Sequence, residues 1–162
     1  MNLREGDNLV SMDVLTSDLV DQLANIGDLP NEIDDNDDSI EENSSEGPWV
    51  LIASGFGLGK RVPVTQFRLQ KRAGMGLRAI KFRIKDDVLV CLKVLGEGEE
   101  LLFVTEKGVI VRTNADKISQ QSRAATGVKL QRLDEGDHLS EVVLVPHEQT
   151  EETDQFNQGK EN

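Results

Sequence analysis

The sequence predicts an all-β fold: two four-stranded blades of a propeller-like domain, flanked by a disordered acidic linker and tail. Three observations carry the prediction. The middle of the chain repeats itself at a spacing of 51 residues, each repeat breaks into short apolar runs separated by glycine turns, and basic residues collect in the repeats while acidic ones collect outside them. Four strands in a unit of this length is the size of one propeller blade, about 40–50 residues.

Superposition of the chain on itself shows the repeat. Val50-Leu51-Ile52 falls on Leu101-Leu102-Phe103, Gly57 on Gly108, Arg61 on Arg112 and Gln70 on Gln121. Further along, Arg72 falls on Arg123 and Gly76-Leu77-Arg78 on Gly127-Val128-Lys129; without a gap, Asp86 falls on Asp137. A partial copy opens the chain, where Leu3–Leu9 matches Leu133–Leu139. The expected organisation is the end of a preceding blade over 1–15, an acidic linker or insertion over 16–48, a blade over 49–96, a final blade over 97–147 and an acidic disordered tail over 148–162. A chain that enters in mid-repeat reads as part of something longer.

The elements follow in order. Ser17–Ile26 carries Leu19, Val20, Leu23 and Ile26 at helical spacing, which predicts a short helix behind an N-cap Ser17. The runs Asp34–Asp38 and Glu41–Glu46 offer charge and little to bury, a signature of disorder, and they lack the spaced ligands, glycine and closing glutamate of a calcium loop. In the first repeat the predicted strands are Trp49–Ser54, Lys60–Val64, Leu77–Arg83 and Val88–Leu95. In the second they are Leu101–Thr105, Val109–Thr113, Gly127–Leu133 and Leu139–Val145. Glycine turns at Glu106-Lys107-Gly108 and Asp134-Glu135-Gly136-Asp137 separate them, because glycine reaches φ > 0 without a Cβ clash.

The net charge of −12 hides a strong asymmetry: residues 1–48 balance to −13, residues 49–147 to +5 and residues 148–162 to −4. The one cysteine, Cys91, lies in an apolar run, so no internal disulfide is possible and a reducing compartment is expected. No stretch approaches the ~18 apolar residues of a membrane helix, and the N-terminus has no signal-peptide pattern. A soluble intracellular protein with no membrane partner is the expectation.

Catalysis finds little support. His138 and His147 are the only histidines, no Cys/His pair has metal spacing, and the chain has no tyrosine. Gly55–Arg61 superficially suggests a phosphate loop, but it lacks the spacing of one and runs into Val62-Pro63-Val64, so a glycine-rich hairpin turn is the better reading. The chain alone is therefore not expected to be an enzyme.

Binding is better supported. From Trp49 to Lys85 there are nine basic residues and no acidic one. The loop Gln70–Gly76 sets Lys71 and Arg72 beside glycines, a composition suited to close approach of amides and cations to phosphate. The candidate DNA-binding residues are Lys60, Arg61, Arg68, Lys71, Arg72, Arg78, Lys81 and Arg83, with Arg112, Arg123, Lys129 and Arg132 in the second repeat. Aromatic residues are few, which disfavours base stacking on single strands, and Trp49 and Phe103 read as core. A basic sheet face that only confers solubility is the competing reading.

The motifs Gly57-Leu58-Gly59-Lys60-Arg61-Val62-Pro63-Val64 and Gly127-Val128-Lys129-Leu130-Gln131-Arg132-Leu133-Asp134-Glu135-Gly136-Asp137 resemble blades of the C-terminal domain of DNA gyrase A. So do Val111-Arg112-Thr113, Lys117-Ile118-Ser119 and Arg123–Gly127; the resemblance spans 3–15 and 49–146. Gln70–Gly76 is similar to the family's Q-R-R-G-G-K-G heptad, with Ala73 and Met75 replacing a glycine and the lysine.

The resemblance implies a β-pinwheel whose basic rim wraps duplex DNA without sequence preference, within an enzyme that supercoils DNA at the expense of ATP. Implied partners are DNA, the remainder of gyrase A, and gyrase B. No cofactor is implied for this chain, since ATP and Mg2+ belong to the holoenzyme. The implied location is the bacterial cytoplasm at the nucleoid, or the plastid of a photosynthetic eukaryote. Blades of the topoisomerase IV A protein, or an interaction or structural fragment that does not bind DNA, are the alternatives.

Overall fold

A computed structural model of the chain describes residues 5–18, 20–21, 47–67 and 76–145. Among these, seven strands form two antiparallel sheets and no long helix occurs, so the all-β prediction holds. The strands are β1 (Trp49–Ser54), β2 (Leu58–Pro63), β3 (Leu89–Leu95), β4 (Glu100–Thr105), β5 (Ile110–Asn114), β6 (Val128–Lys129) and β7 (Leu139–Val145). One sheet has the order β3-β1-β2-β6, the other β5-β4-β7. Among the described residues no helix is long and apolar enough to cross a membrane.

The sequence repeat is a repeat of hydrogen-bond register. Trp49 faces Pro63 across β1 and β2, and Glu100 faces Asn114 across β4 and β5. Each hairpin ends in a short 3-10 turn, Val64–Gln66 in one and Ala115–Lys117 in the other. Each inner strand carries an irregularity at the same place, Ala53/Ser54 and Val104/Thr105. The Gly55–Arg61 segment is a hairpin turn, Gly55–Gly57, running into β2, as its composition predicts: Gly57 has φ 74° and its N–H donates to Ser54 O over 2.9 Å.

Two features differ from the sequence expectation. The third strand of each repeat is not laid in its own sheet. β6, from the second repeat, pairs Val128 with Gly59 and Lys129 with Leu58 of β2, and Leu130 N donates to Gly57 O over 2.8 Å. The first sheet is thus completed by the second repeat. The corresponding Leu77–Arg83 segment forms no strand, because a strand needs a neighbour's amides and carbonyls, and among the described residues there is no hairpin of an earlier repeat for it to pair with.

The other difference is an offset. Asp87, not Asp86, occupies the place of Asp137: Asp87 Oδ1 accepts from the N–H of Phe56 and of Val88, and Asp137 Oδ1 from the N–H of Lys107 and of His138. Asp86 then stands where Gly136 stands, and both have positive φ, 67° and 66°. The first repeat therefore holds one extra residue between Gly76 and Asp87.

The core lies on both faces of the first sheet. Leu51, Ala53, Cys91 and Leu95 on one face pack against Leu101, Phe103, Leu139 and Val142 of the second repeat. Val50, Ile52, Val62 and Val64 on the other face pack with Ile80. Alternation of side chains along a strand puts Leu51 and Ala53 on one side and Val50 and Ile52 on the other, which is why β1 is buried throughout while β4 is buried at every second residue. Cys91 is the small core residue it was expected to be, and its burial pushes the thiol pKa up to about 11. Residues 17, 18, 20 and 21 are helical, behind Thr16, whose carbonyl accepts from Val20 N–H; the rest of the predicted helix and the acidic linker and tail lie outside the described residues.

Candidate nucleic-acid interface

The basic residues expected to bind DNA divide into three groups. Arg68, Lys71 and Arg72, with most of the Gln70–Gly76 loop, lie outside the described residues. Lys60, Arg61 and Arg123 are turned inward or held by protein partners. Arg78, Lys81, Arg83, Arg112, Lys129 and Arg132 are exposed.

Lys60 is not a surface cation. It sits on β2 with its side chain fully buried, and Nζ donates to the carbonyl oxygens of Ser122 (2.8 Å), Arg123 (2.6 Å) and Ala125 (2.6 Å). Burial, and then the nearby Arg123 charge, lower its pKa to about 8. An ammonium has three donors, and here three carbonyls of one loop meet them. Lys60 is therefore corrected from a phosphate contact to an internal clamp on the 121–127 loop of the second repeat.

Arg61 is next to it on the opposite side of the strand. Its Cζ lies 4.7 Å from the Trp49 ring centroid, Nε donates to Ile118 O over 3.0 Å, and the guanidinium forms an ion pair with Asp116 at 2.9 Å. Trp49 is a core residue, as expected, and its Nε1 donates to Gln120 Oε1 over 3.0 Å. Arg123 is buried too: NH1 donates to Arg78 O over 2.8 Å and its own N–H to Gln66 Oε1 over 2.9 Å. Arg112 is exposed but paired with Glu100, Nε to Oε2 at 2.9 Å.

What remains outside is coherent. Lys81 and Arg83 border a shallow groove of about 380 Å3 whose other wall is the 121–127 loop, with Gln121, Ser122 and Thr126 among its lining residues. No carboxylate lines it among the described residues. Lys81 N is 3.4 Å from Ala125 O, so the two walls meet through the backbone. The peptide units whose carbonyls face Lys60 carry their N–H groups in the opposite direction, since a trans peptide is planar with C=O and N–H opposed. The N–H groups of Ala124 and Thr126 are thus directed away from the ammonium. Lys129 and Arg132 are exposed on and after β6.

The loop closes on β2 through two glycines. A Cβ at Gly127 would come within 2.7 Å of Gly59 O, and a Cβ at Gly59 within 2.5 Å of both Ile52 O and a Leu130 methyl. The sequence assigned a role to the cations but none to these glycines or to the loop carbonyls. The usable signal was the repeat itself, which sets Gln121–Gly127 on Gln70–Gly76. Among the described residues no cluster of His, Cys, Asp and Glu could hold a metal.

Comparison with known proteins gives a consistent set of likenesses. The family described as DNA gyrase C-terminal domain, beta-propeller, matches residues 48–91 and 99–146. The chain is 47% identical to DNA gyrase A of Synechocystis sp. over 100% of its own length and 19% of that protein's. It is 32% identical to DNA gyrase A of Staphylococcus aureus over 98% of its own length and 15% of the relative's. The chain therefore spans about a fifth or less of these relatives. Among solved structures, a DNA gyrase A C-terminal domain superposes with a TM-score of 0.54 at 32% identity, covering 60% of this chain and 33% of that one. The C-terminal domain of a DNA topoisomerase IV superposes with a TM-score of 0.56 at 23% identity, covering 65% and 32%, a likeness of fold.

Proposed function

The chain belongs to the family of DNA gyrase C-terminal domains, and on that premise we propose that it binds duplex DNA through phosphates, without sequence preference, as the DNA-wrapping part of a type II topoisomerase. The observation that carries this reading is the groove between Lys81, Arg83 and the 121–127 loop, which is basic, shallow and without a carboxylate among the described residues. A phosphate seated there would meet two cations on flexible stems and a loop whose amide dipoles are fixed from behind by Lys60. Contacts of this kind to phosphate position a duplex without selecting its sequence. Arg78, Lys129 and Arg132 would extend the contact, as would Arg68, Lys71 and Arg72. Lys60, Arg61 and Arg123 support the fold beneath it.

ATP-driven supercoiling, with the remainder of gyrase A and with gyrase B as partners, is proposed for the assembled enzyme, in the bacterial cytoplasm or a plastid. Its nucleotide, metal and cleavage chemistry would lie in those other parts.

The test is a mobility shift of the whole chain on duplex DNA at several salt concentrations. Log K should fall with log salt by about 0.9 per phosphate neutralised, and replacing Lys81 and Arg83 together by alanine should reduce that slope by about 2. Binding that ignores salt, or a slope that the double substitution leaves unchanged, would sink the assignment and favour an interaction fragment that does not bind DNA.

A further inference from the structure

One short stretch of backbone separates the Lys60 ammonium from the basic groove. On its inner side, Nζ donates to the carbonyls of Ser122, Arg123 and Ala125. On its outer side, Ala124, Ala125 and Thr126 line the groove beside Lys81 and Arg83, and Lys60 itself does not. The peptide units joining 123 to 124 and 125 to 126 turn their carbonyls to Lys60 and their N–H groups away from it. Each is thus a dipole with its negative end on the ammonium. Among the described residues no protein acceptor meets the N–H of Ala124 or of Thr126.

The charges around this ammonium are cations. Burial lowers its pKa most, and Arg123, from the loop itself, lowers it further, to about 8. β1 faces Lys60 with Ile52 and carries no titratable side chain. The 77–83 segment brings Arg78, Lys81 and Arg83, and β6 brings Lys129. Asp116 is across β2, paired with Arg61, and no carboxylate lines the groove among the described residues. Lys60 therefore exchanges its proton in a range where an ordinary lysine, of pKa ~10.4, stays charged. The neutral amine keeps two donors for three carbonyls and no charge, so the loop is held less firmly.

We infer that a phosphate in the groove and the proton on Lys60 are bound cooperatively through the 123–126 backbone, so that DNA binding draws a proton from solvent onto Lys60 Nζ and weakens as that proton is lost. The inference rests on the phosphate reading of the groove, and it makes Lys60 a positioning residue for a phosphate it does not touch. A phosphate accepting from the outward N–H groups polarises the same peptide units further, which strengthens their carbonyls as acceptors for the ammonium. Coupling between two bound species is reciprocal, so whatever the phosphate adds to the proton's affinity the proton adds to the phosphate's. The sign follows: the complex holds Lys60 protonated to higher pH than the free chain does. Affinity is full below the free chain's value and lost as pH rises through that of the complex. Folding responds in the opposite sense, because the unfolded chain also holds that proton more tightly than the free fold does. An alkaline loss of DNA affinity is therefore not a loss of fold.

The affinity of the whole chain for one duplex, measured at fixed salt from pH 7 to 9.5, tests the coupling. If the complex holds the Lys60 proton ten-fold more tightly, affinity should fall about seven-fold over that range. Lys60→Met should bind at pH 7 about as weakly as the unaltered chain does at pH 9.5, and should lack that fall. Binding that depends on salt but not on pH, or an equal fall in Lys60→Met, would overturn the inference and leave the phosphate reading standing. Absence of salt-dependent binding at pH 7 would sink both. If Lys60→Met does not fold, NMR of the unaltered chain with 13C-labelled lysine serves instead. The Lys60 Cε resonance should titrate at higher pH with the duplex than without it, and an unchanged titration would equally overturn the coupling.

Discussion

The hydroxyl of Ser54 donates to Asp87 Oδ2 over 2.7 Å, and both side chains are buried. The carboxylate also accepts from Phe56 and Val88 N–H, so one aspartate satisfies the turn after β1 and the turn before β3. Asp137 repeats the backbone half of the arrangement, its Oδ1 accepting from Lys107 and His138 N–H. Asp87→Ala leaves a buried hydroxyl and two amides without their acceptor and should destabilise the chain by ~2–4 kcal/mol. Urea denaturation followed by tryptophan fluorescence reads it directly, since Trp49 is the only tryptophan. A loss within the error of the extrapolation would show that water replaces the aspartate at no cost.

The hairpins were legible because their signals are local. Apolar runs and glycine turns put β1, β4 and β7 within a residue of their observed ends. The third strands were the least legible: of Gly127–Leu133 only Val128–Lys129 forms a strand, with both residues exposed, Leu77–Arg83 forms none, and alternation does not say which neighbour a strand pairs with. The offset at Asp86 was hidden because Asp86 and Asp87 are identical side chains in sequence. Only the backbone separates the one with positive φ from the one that accepts hydrogen bonds. The candidate site was half legible. Charge located Lys81 and Arg83, but charge alone does not distinguish them from Lys60, and a lysine that shares its strand face with Val62 is where burial was to be suspected.

Stability should rise with pH at both ends of the range. Burial would raise the Asp137 pKa, but the neighbouring Thr105 hydroxyl, the hydrogen bonds from Lys107 and His138 N–H and the Lys107 charge outweigh it and hold the carboxyl below its usual value. Its contribution is present above the unfolded pKa, ~3.9, and is lost as pH falls through the lower folded value. Lys60 is the reverse of a lysine that gains a charged partner. Its folded pKa of about 8 lies below the unfolded value, so the unfolded chain holds more protons between the two and stability increases from pH 8 toward 10.5. Thermal melts should show both slopes, with the alkaline one missing in Lys60→Met. An alkaline slope that survives the substitution assigns it to another group.

The acidic residues outside the repeats should weaken DNA binding by competing for the same cations. The −13 of residues 1–48 is tethered to a segment of +5, and tethering gives a high effective concentration. Neutralising Asp34, Asp35, Asp37 and Asp38 to Asn and Glu41 and Glu42 to Gln should tighten DNA binding at low salt. The gain should vanish as salt shortens the Debye length to about 3 Å at 1 M. Titrations on one duplex at two salt concentrations decide it, and equal affinity of the two chains at low salt would falsify the competition.

Two leucines that the repeat makes equivalent should respond differently to truncation. Leu3–Leu9 matches Leu133–Leu139, which places Leu9 on Leu139 and Met12 on Val142. Leu139 and Val142 are buried at 2% and 5%, whereas Leu9 and Met12 are exposed at 62% and 81%. The difference lies in what stands opposite. β7 pairs with β4 and covers Leu101 and Phe103, while the 5–15 segment meets the edge of β3, where Ser11 Oγ donates to Leu92 O over 2.8 Å and Val94 N donates to Asp13 Oδ2 over 2.8 Å. Leu139→Ala removes a packed side chain and should cost ~2–5 kcal/mol. Leu9→Ala removes one already in water and should stay within ~0.5 kcal/mol. Denaturation of the two variants against the unaltered chain measures both. If Leu9→Ala cost as much as Leu139→Ala, the 5–15 segment would have to bury Leu9 in solution, and its exposed placement beside β3 would be wrong.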